Sequence, residues 1–313
     1  MSAAEIRPFR PEDAAGAAGA FRELLPHYLV NAELLVHWTS SVPERAQVRC
    51  WVAERDGEIV AWGEAELRWT RADSGLGSLW VGVTPPARGA GLGARLYELA
   101  ESHLVAQGAW KLDSSYDEGD EAARRFAEKR GFVPTRTERL WTLDPREADL
   151  SELPELERRT RSAGFRLKTL GELLDRPADL HALYAEAHND MPSDDDPADL
   201  RYDEWKEETL DNPLLDRDAS IVVLADDRPV SFAWLLVERE GGRADHELTG
   251  TLREFRGRGL ARLAKLAAIR WCRDHGVTTL LTSNDGANAA MLAINDRLGY
   301  RPTIIRIEVA RVL

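Results

Sequence analysis

The sequence predicts a mixed α/β protein built from two tandem domains of the same fold. Its 313 residues are enough for two domains that each bury a core. Two landmarks recur at one offset, since Arg88 and Arg256 are 168 positions apart and so are Gly131 and Gly299. Short apolar runs and longer segments with helical periodicity also follow the same order in both halves. A duplicated α/β domain explains all three observations.

The composition is typical of a globular protein with 43% hydrophobic and 30% charged residues. No apolar run reaches the ~18 residues of a membrane helix, and the N-terminal segment lacks the basic and apolar regions of a secretory signal. We therefore expect a cytoplasmic protein with no membrane partner. The net charge of −13 argues against a broad nucleic-acid surface. Cys50 and Cys272 are far apart and lack metal-ligand neighbours, so neither a disulfide nor a metal site is predicted.

Each domain is predicted to contain an antiparallel hairpin. Residues 48–65 form two β runs about Asp56-Gly57, and residues 220–237 do the same about Asp226-Asp227. Amphipathic helices then begin near Leu92 and Leu260. A short strand (residues 110–115 or 277–283), a second helix and closing strands follow in each half. The predicted architecture is a mostly antiparallel sheet flanked by helices.

The predicted domains span residues 1–145 and 165–313. The linker between them, residues 146–164, is charged and has little apolar periodicity, although residues 152–161 are compatible with a helix.

A glycine-rich segment precedes the amphipathic helix in each half. The pattern Arg-Gly-x-Gly-x-Gly/Ala begins at Arg88 and at Arg256. Unpaired N–H groups at a helix start, together with the helix dipole, suit a pyrophosphate, and glycine permits close approach of the backbone. A structural turn without a ligand is the alternative. The spacing differs from the dinucleotide fingerprint Gly-x-Gly-x-x-Gly, and neither copy contains the Gly-Lys-Ser/Thr of nucleotide hydrolases.

The arrangement Val/Thr, four residues and Arg-Gly-x-Gly-x-Gly/Ala resembles the acyl-CoA signature of the GNAT superfamily of N-acyltransferases. Arg130-Gly131-Phe132 and Leu298-Gly299-Tyr300 resemble its closing motif. The tandem arrangement is similar to two-domain acetyltransferases of the mycothiol synthase type. The resemblance implies an acetyl-CoA-dependent N-acetyltransferase that modifies a primary amine of a small molecule by direct attack on the thioester. A non-catalytic acyl-CoA sensor or scaffold and a protein-amine acetyltransferase are the alternatives.

The resemblance also implies where the cofactor binds, with pantetheine along the fourth strand and pyrophosphate on the glycine-rich turn. In the first half the implied residues are Val81, Val83, Arg88, Gly89, Ala90, Gly91, Leu92, Gly93 and Ala94. In the second half they are Thr249, Thr251, Arg256, Gly257, Arg258, Gly259, Leu260, Ala261, Arg262 and Asn288. Arg258, Arg262 and Lys265 are expected to add positive charge near the phosphates, unless they form a solvated helix face.

Aminolysis of a thioester needs a base for the amine. Asp245, Glu247, Thr249 and Thr251 alternate along a β run and are predicted to share a face. Glu247 is the predicted base and Asp245 the second candidate, whereas the first half has Leu79 at the position of Glu247. We therefore predict a catalytic second domain and a degenerate first domain.

The second helix of the second half supports this assignment. Many family members carry an Asn near its start and a Tyr seven residues later that protonates the thiolate. Asn288 occupies the first position and is predicted to take part in the site, but Asn295 replaces the Tyr. The general acid is therefore unassigned, and Tyr300 is expected to pack in the core. An acidic run at residues 188–197 is a candidate binding site for a cationic amine, with a solvated loop as the alternative.

Overall fold

The computed structural model describes residues 3–70, 75–190 and 199–313. The chain divides into two compact units, one formed by residues 1–137 and 305–313 and the other by residues 138–304. Both units combine helices with a mostly antiparallel sheet, so the predicted fold class is confirmed. Within the described part of the chain, no helix is both long and apolar enough to cross a membrane.

The secondary-structure elements alternate along the chain in the predicted manner. The strands are β1 (Glu5–Pro8), β2 (Arg49–Arg55), β3 (Glu58–Leu67), β4 (Leu76–Val83), β5 (Lys111–Asp117), β6 (Val133–Leu143), β7 (Phe165–Thr169), β8 (Ile221–Ala225), β9 (Arg228–Glu238), β10 (Arg243–Thr251), β11 (Thr279–Asp285) and β12 (Arg301–Val312). The helices are α1 (Ala14–Leu24), α2 (Ala32–Ser40), α3 (Leu92–Ala106), α4 (Glu121–Glu128), α5 (Leu153–Ser162), α6 (Pro177–Asn189), α7 (Tyr202–Trp205), α8 (Leu260–Asp274) and α9 (Ala289–Arg297).

Both predicted hairpins are present. Strands β2 and β3 are joined by Asp56 and Gly57, which have positive φ values of 55° and 83°. Strands β8 and β9 are joined at Asp226, with φ of 52°. Positive φ at such a turn matches the right-handed twist of the strands, which is why Asp-Gly is a strong hairpin signal.

The sheet of the first unit has the strand order β1-β2-β3-β4-β5-β12, in which only the β4–β5 pair is parallel. Helices cover both faces. On one face, the ring of Phe21 from α1 lies 5.2 Å from that of Trp62 on β3. On the other, Leu96 of α3 lies against Gly63, where a Cβ would come within 3.3 Å of it. Adjacent strand residues point to opposite faces, so the unit has a helix–sheet–helix core.

The sheet of the second unit has the order β6-β11-β10-β9-β8-β7, in which only the β10–β11 pair is parallel. Tyr184 of α6 stacks near Phe232 and Trp234 of β9 on one face. Helix α8 covers the opposite face. The buried Trp205 and Trp234 are among the largest core side chains, so this unit is anchored by aromatic packing.

The compact units differ from the predicted domain limits in their closing strands. Residues 306–312 of β12, at the C-terminal end of the chain, pair with β5 in the first unit. Residues 138–143 of β6 pair with β11 in the second unit. The segment predicted as a linker contains α5, whose Glu157 lies 3.0 Å from Arg270 of α8. Strand pairing between distant segments leaves no local signal, so the contiguous limits could not anticipate this exchange.

Candidate functional site

The two parallel strand pairs open into clefts. Strand β4 pairs with β5 over only three residues, and β10 pairs with β11 over only three, from Arg243 to Asp245. The rest of each strand continues to pair with its other neighbour. The strands of each parallel pair therefore separate along their length. Backbone N–H and C=O groups on the inner edges are left available for a ligand that bonds like a strand.

A glycine-rich turn lies at the end of each cleft and begins a helix. Gly91 and Gly259 cap α3 and α8 with φ of 78°, in the left-handed region that favours glycine. Just before each glycine cap, Arg88 Nε donates to Val83 O at 3.0 Å and Arg256 Nε donates to Thr251 O at 3.1 Å. The duplicated motif therefore has one geometry in both units, with unpaired helix N–H groups facing the cleft end.

The first unit contains a cavity of about 410 Å³ at this position. Eight of its nine predicted cofactor-binding residues line the cavity: Val81, Val83, Arg88, Gly89, Gly91, Leu92, Gly93 and Ala94. Ala90 is exposed within the turn and is not among the lining residues. Apolar and aromatic side chains, including Leu79, Phe126 and Phe132, form much of the remaining wall. The first unit thus combines a polar turn with an apolar chamber.

The arginines of the second turn have protein partners. Arg256 and Arg253 both pair with Asp190, and these contacts hold the pKa of Asp190 below its usual range, Arg253 being the main cause. Arg262 pairs with Glu152, and Arg258 donates to Glu254 O at 3.3 Å. Asp190 is the first carboxylate of the segment 188–197, the candidate amine site or solvated loop, and its charge is balanced by the two arginines. Residues 191–197 of that run lie outside the described residues.

A β-bulge interrupts the predicted alternation on β10. His246 pairs with Leu235 and Leu248 pairs with Trp234, which leaves Glu247 without a position in the ladder. A one-residue shift reverses the faces beyond the bulge. Thr249 and Thr251 therefore share the face of His246 and not that of Asp245. The prediction that all four residues share one face is wrong, because the bulge adds a residue between them.

The bulge directs Glu247 toward α6. Tyr184 Oη donates to Glu247 Oε1 at 3.3 Å. Although the Glu247 side chain is open to solvent, surrounding protein desolvates it, and nearby Glu208 adds repulsion. The two effects raise the pKa of Glu247 to about 7. A carboxylate with this pKa at an open cleft suits proton transfer near neutral pH.

Asp245 and Lys265 are two further perturbed groups near the closed end of the cleft. Burial is the main cause that raises the pKa of Asp245 to about 8, with repulsion from Glu247 second. Burial also lowers the pKa of Lys265 to about 7, against the attraction of Asp245. Lys265 is completely buried. The alternative that it lies on a solvated helix face is therefore wrong, because its position on α8 faces the sheet.

The predicted residues of α9 lie at its start and within its buried face. Asn288 caps the helix, its Oδ1 accepting from Met291 N at 3.2 Å, which leaves its amide N–H groups for other partners. Asn295 is completely buried and accepts from Lys265 Nζ at 2.9 Å. Tyr300 is buried in the core, as expected.

Of the remaining predicted residues, Thr249 has a buried hydroxyl oxygen for which no partner is found among the described residues, and Thr251 Oγ1 lies 2.7 Å from Ser231 Oγ. Gly257 has room for a Cβ and a φ of 74°, and Leu260 and Ala261 begin α8. Among the predicted second-unit residues, Thr249 and Thr251 thus lie on β10 beyond its pairing with β11, and Gly257, Leu260 and Ala261 lie in the turn and at the start of α8.

Three residues near this cleft were not predicted, namely Tyr184, Glu208 and Asn284. Tyr184 and Glu208 come from α6 and from the turn after α7, far from the glycine-rich motif in sequence. Asn284 is 168 positions after Tyr116, so the internal repeat could have drawn attention to it. The sequence of α6 did not mark Tyr184 as a functional residue, because a tyrosine packed in the core and a functional tyrosine have the same helical spacing.

In each unit the strands of the parallel pair separate, and a glycine-rich turn at the end of the resulting cleft begins a helix. Two such units in tandem define an acyl-CoA-dependent acyltransferase. The model of the Acetyltransferase (GNAT) family matches residues 19–132 and 179–300. The chain belongs to this family and is an N-acetyltransferase.

The chain is similar to curated mycothiol acetyltransferases. It is 27% identical to that of Kytococcus sedentarius over 241 residues, which is 74% of each chain. It is 35% identical to that of Streptomyces avermitilis over 94 residues, which is 29% of each chain.

Solved structures share the fold. A GCN5-related N-acetyltransferase from Sphaerobacter thermophilus has a TM-score of 0.70 and 19% identity, with coverage of 99% of this chain and 95% of that one. A tandem GNAT protein from the clavulanic acid biosynthesis pathway has a TM-score of 0.74 and 17% identity, with coverage of 99% and 98%. At these identities the likeness establishes the tandem fold.

Proposed function

We propose that the protein transfers an acetyl group from acetyl-CoA to a primary amine of a small molecule, with the chemistry in the second unit. The observation that carries this proposal is Glu247, which is displaced from the ladder by a bulge, lies at the open cleft and has a pKa of about 7. At the offset of 168 positions the first unit has Leu79, which cannot accept a proton.

In the proposed reaction the amine nitrogen attacks the thioester carbonyl carbon. Glu247 accepts a proton from the amine, the carbon–sulfur bond breaks, and its electron pair moves to sulfur. The pantetheine arm bonds to the free edge of β10 near Thr249 and Thr251. The pyrophosphate lies on the turn formed by residues 256–262, and Asn288 donates an amide N–H to the cofactor arm.

The acceptor is proposed to be a small cationic amine. Glu208 and Glu247 interact electrostatically beside the Tyr184 hydroxyl on the α6 side of the cleft. Two carboxylates favour binding of the acceptor as an ammonium ion. The raised pKa of Glu247 then suits transfer of a proton from the ammonium ion to Glu247. The name of the mycothiol acetyltransferase relatives is also consistent with a small-molecule acceptor.

The first unit is proposed to bind acetyl-CoA without turning it over. Its cavity contains the phosphate turn and an apolar chamber, while at the offset of 168 positions Leu79 and Gly77 correspond in sequence to Glu247 and Asp245. A unit that has the cofactor-binding elements but no catalytic base would act as a second cofactor site.

Release of free thiol from acetyl-CoA tests the proposed function. The protein is mixed with acetyl-CoA and separate primary amines: aliphatic diamines, arylethylamines, amino sugars and a lysine-containing peptide. We expect amine-dependent thiol release with at least one small cationic amine, and a mass increase of one acetyl group on that amine. Release with the peptide alone would replace the small-molecule acceptor by a protein amine. Absence of release with all of them would contradict the proposal.

A further inference from the structure

A hydrogen-bonded chain in the second unit leads from a buried lysine to the wall of the cleft. Lys265 Nζ donates to Asn295 Oδ1 at 2.9 Å, and Asn295 Nδ2 donates to Asn284 Oδ1 at 2.5 Å. Lys265 and Asn295 are completely buried, whereas Asn284 is partly exposed. Asn284 lies on β11 beyond Leu281, the last residue of that strand that pairs with β10. The chain therefore ends where the cleft is open.

The chemistry of the three side chains fixes the direction of this chain. A lysine ammonium has donors and no acceptor, so the Asn295 amide must present its oxygen to Lys265 and its nitrogen to Asn284. Asn284 then accepts through its oxygen, and its own amide N–H groups are directed to other partners. Each bond is polarised by the positive charge at the buried end. The result is an N–H donor at the cleft wall, strengthened by a lysine that no ligand could touch.

The internal repeat shows which space the chain faces. At the offset of 168 positions, Lys265, Asn295 and Asn284 correspond to Tyr97, Ala127 and Tyr116. All three of these first-unit residues line the cavity that ends at the glycine-rich turn. The equivalent space in the second unit is the cleft in which the proposed thioester lies.

We propose that Asn284 donates a hydrogen bond to the CoA sulfur and thereby stabilises the leaving thiolate, with Lys265 and Asn295 as positioning residues. This inference rests on the proposed function. The amine loses its proton to Glu247, the C–N bond forms, and the electron pair of the C–S bond remains on sulfur until the thiolate takes a proton from solvent. Many family members carry a Tyr at the position of Asn295, and its phenol protonates the thiolate. The hydrogen-bonded chain would stabilise the thiolate in place of that phenol.

The geometry of β10 separates the two halves of the reaction. Glu247 contacts Tyr184 of α6, whereas Lys265 and Asn295 belong to α8 and α9 on the opposite face of the sheet. The amine would therefore attack from the α6 side, where Glu247 takes its proton, and the thiolate would depart on the side of Asn284.

The surroundings of Lys265 allow its charge to respond to the ligand. Asp245 and His246 on β10 interact electrostatically with Lys265, and the Tyr300 ring centroid lies 5.2 Å from its Nζ. Burial lowers the pKa of Lys265 to about 7, so a negative sulfur close to the chain would favour the protonated lysine. Formation of the thiolate and protonation of Lys265 are therefore coupled.

The test uses CoA alone and does not depend on an acceptor. The ultraviolet absorbance of the thiolate is followed against pH for CoA bound to the wild-type protein, Lys265→Met, Lys265→Arg and Asn284→Asp. Lys206→Met, at a partly exposed lysine of the same unit that pairs with Asp211, is the matched control. CoA without its sulfur gives the baseline.

We expect part of the bound CoA to have a thiol pKa lowered by about one unit or more relative to free CoA. Lys265→Met and Asn284→Asp should abolish that fraction, Lys265→Arg should retain part of it, and the control should match the wild type. With an active amine, Lys265→Met should lower kcat at least about tenfold with little change in KM for acetyl-CoA.

An unshifted thiol pKa in the wild type, or one that both variants preserve, would overturn the inference. Asn284→Asp keeps the hydrogen-bond acceptor for Asn295, and its side chain is partly exposed, so we expect this variant to fold. If Lys265→Met does not fold, the thiol pKa measured with Asn284→Asp tests the inference. A lowered thiol pKa without amine-dependent turnover would instead contradict the proposed function and leave the thiolate site in place.

Discussion

The two units share a backbone plan and differ in the side chains around their clefts. Both contain a parallel pair that splays after three residues, and both begin a helix at a glycine with φ of 78°. In the first unit, Leu79 and Ala127 contribute to an apolar chamber. In the second, the equivalent positions are Glu247 and Asn295. The difference therefore includes these side chains and the β-bulge at Glu247, which β4 of the first unit lacks.

This difference shows how the two copies of a duplicated domain can take different functional roles. Phosphate recognition relies on backbone N–H groups and a helix terminus, which persist in both units because they need only the turn glycines. Proton transfer relies on ionisable groups whose burial is unfavourable, as the shifted pKa values of Asp245 and Lys265 show. One copy can lose those groups and become easier to fold while the other retains them.

The largest expected effect comes from a matched pair of glycine substitutions. Gly259→Asp places bulk and negative charge on the second phosphate turn and should abolish turnover, because it opposes the helix-terminus attraction. Gly91→Asp makes the same change in the first unit, at the same φ of 78°, so the backbone strain is matched. It should remove cofactor from the first unit and reduce turnover far less.

Steady-state kinetics with circular dichroism as a folding control measure this contrast. Equal losses in two folded variants would mean that both units take part in catalysis. A loss in Gly91→Asp alone would reverse the assignment of the catalytic unit.

The next effect concerns the base. Glu247→Gln should lower turnover by about 10²-fold or more while cofactor affinity is retained. The base works when deprotonated, so wild-type turnover should rise as pH increases through about 7, the pKa of Glu247, and the variant should lack this rise. Glu240→Gln, at an exposed position of the same unit, is the control. An unchanged rate would remove Glu247 from the mechanism and make Asp245 the next candidate.

Cofactor stoichiometry sharpens the comparison further. We expect calorimetry to find two equivalents of acetyl-CoA, and a concentration near 100 Kd to stabilise the fold by about 2.7 kcal/mol per site. Ala127→Trp should fill the first-unit cavity and leave one equivalent, since Ala127 lines that cavity. One equivalent in the wild type would mean that the first unit does not bind acetyl-CoA, and no binding at all would contradict the proposed cofactor.

The smallest expected effect is on stability. The pKa of Asp245 is raised to about 8, so the folded protein binds more protons there than the unfolded chain between about pH 4 and pH 8. The ionised carboxylate therefore destabilises the fold increasingly as pH rises through this range. Asp245→Asn should raise Tm at pH 9 by at least about 2 °C and have a smaller effect at pH 5. A pH-independent difference would mean that Asp245 is not perturbed.

Much of the fold could be predicted from local sequence. The hairpins at Asp56 and Asp226 and the helices beginning at Leu92 and Leu260 follow from turn chemistry and apolar spacing, which act over a few residues. The repeat added the number of domains. It also singled out Glu247, because the corresponding Leu79 cannot transfer a proton.

Other parts of the site depend on contacts between distant segments. Asp190 lies 66 positions from Arg256 in the chain, and Tyr184 lies 63 from Glu247. The bulge at Glu247 arises from the register between β10 and β9, which the sequence of β10 alone does not specify. These contacts decide which predicted charges remain available to a ligand.

The sequence by itself determined the family, the duplication, the phosphate turns and the candidate base, because each depends on residue type and short spacing. The tertiary structure alone decided that β12 closes the first unit, that Lys265 is buried and that Asn284 ends a donor chain at the cleft. Burial and strand pairing are properties of the packed chain. A lysine on an amphipathic helix has the same sequence signal whether it faces water or a buried amide, and only packing distinguishes the two.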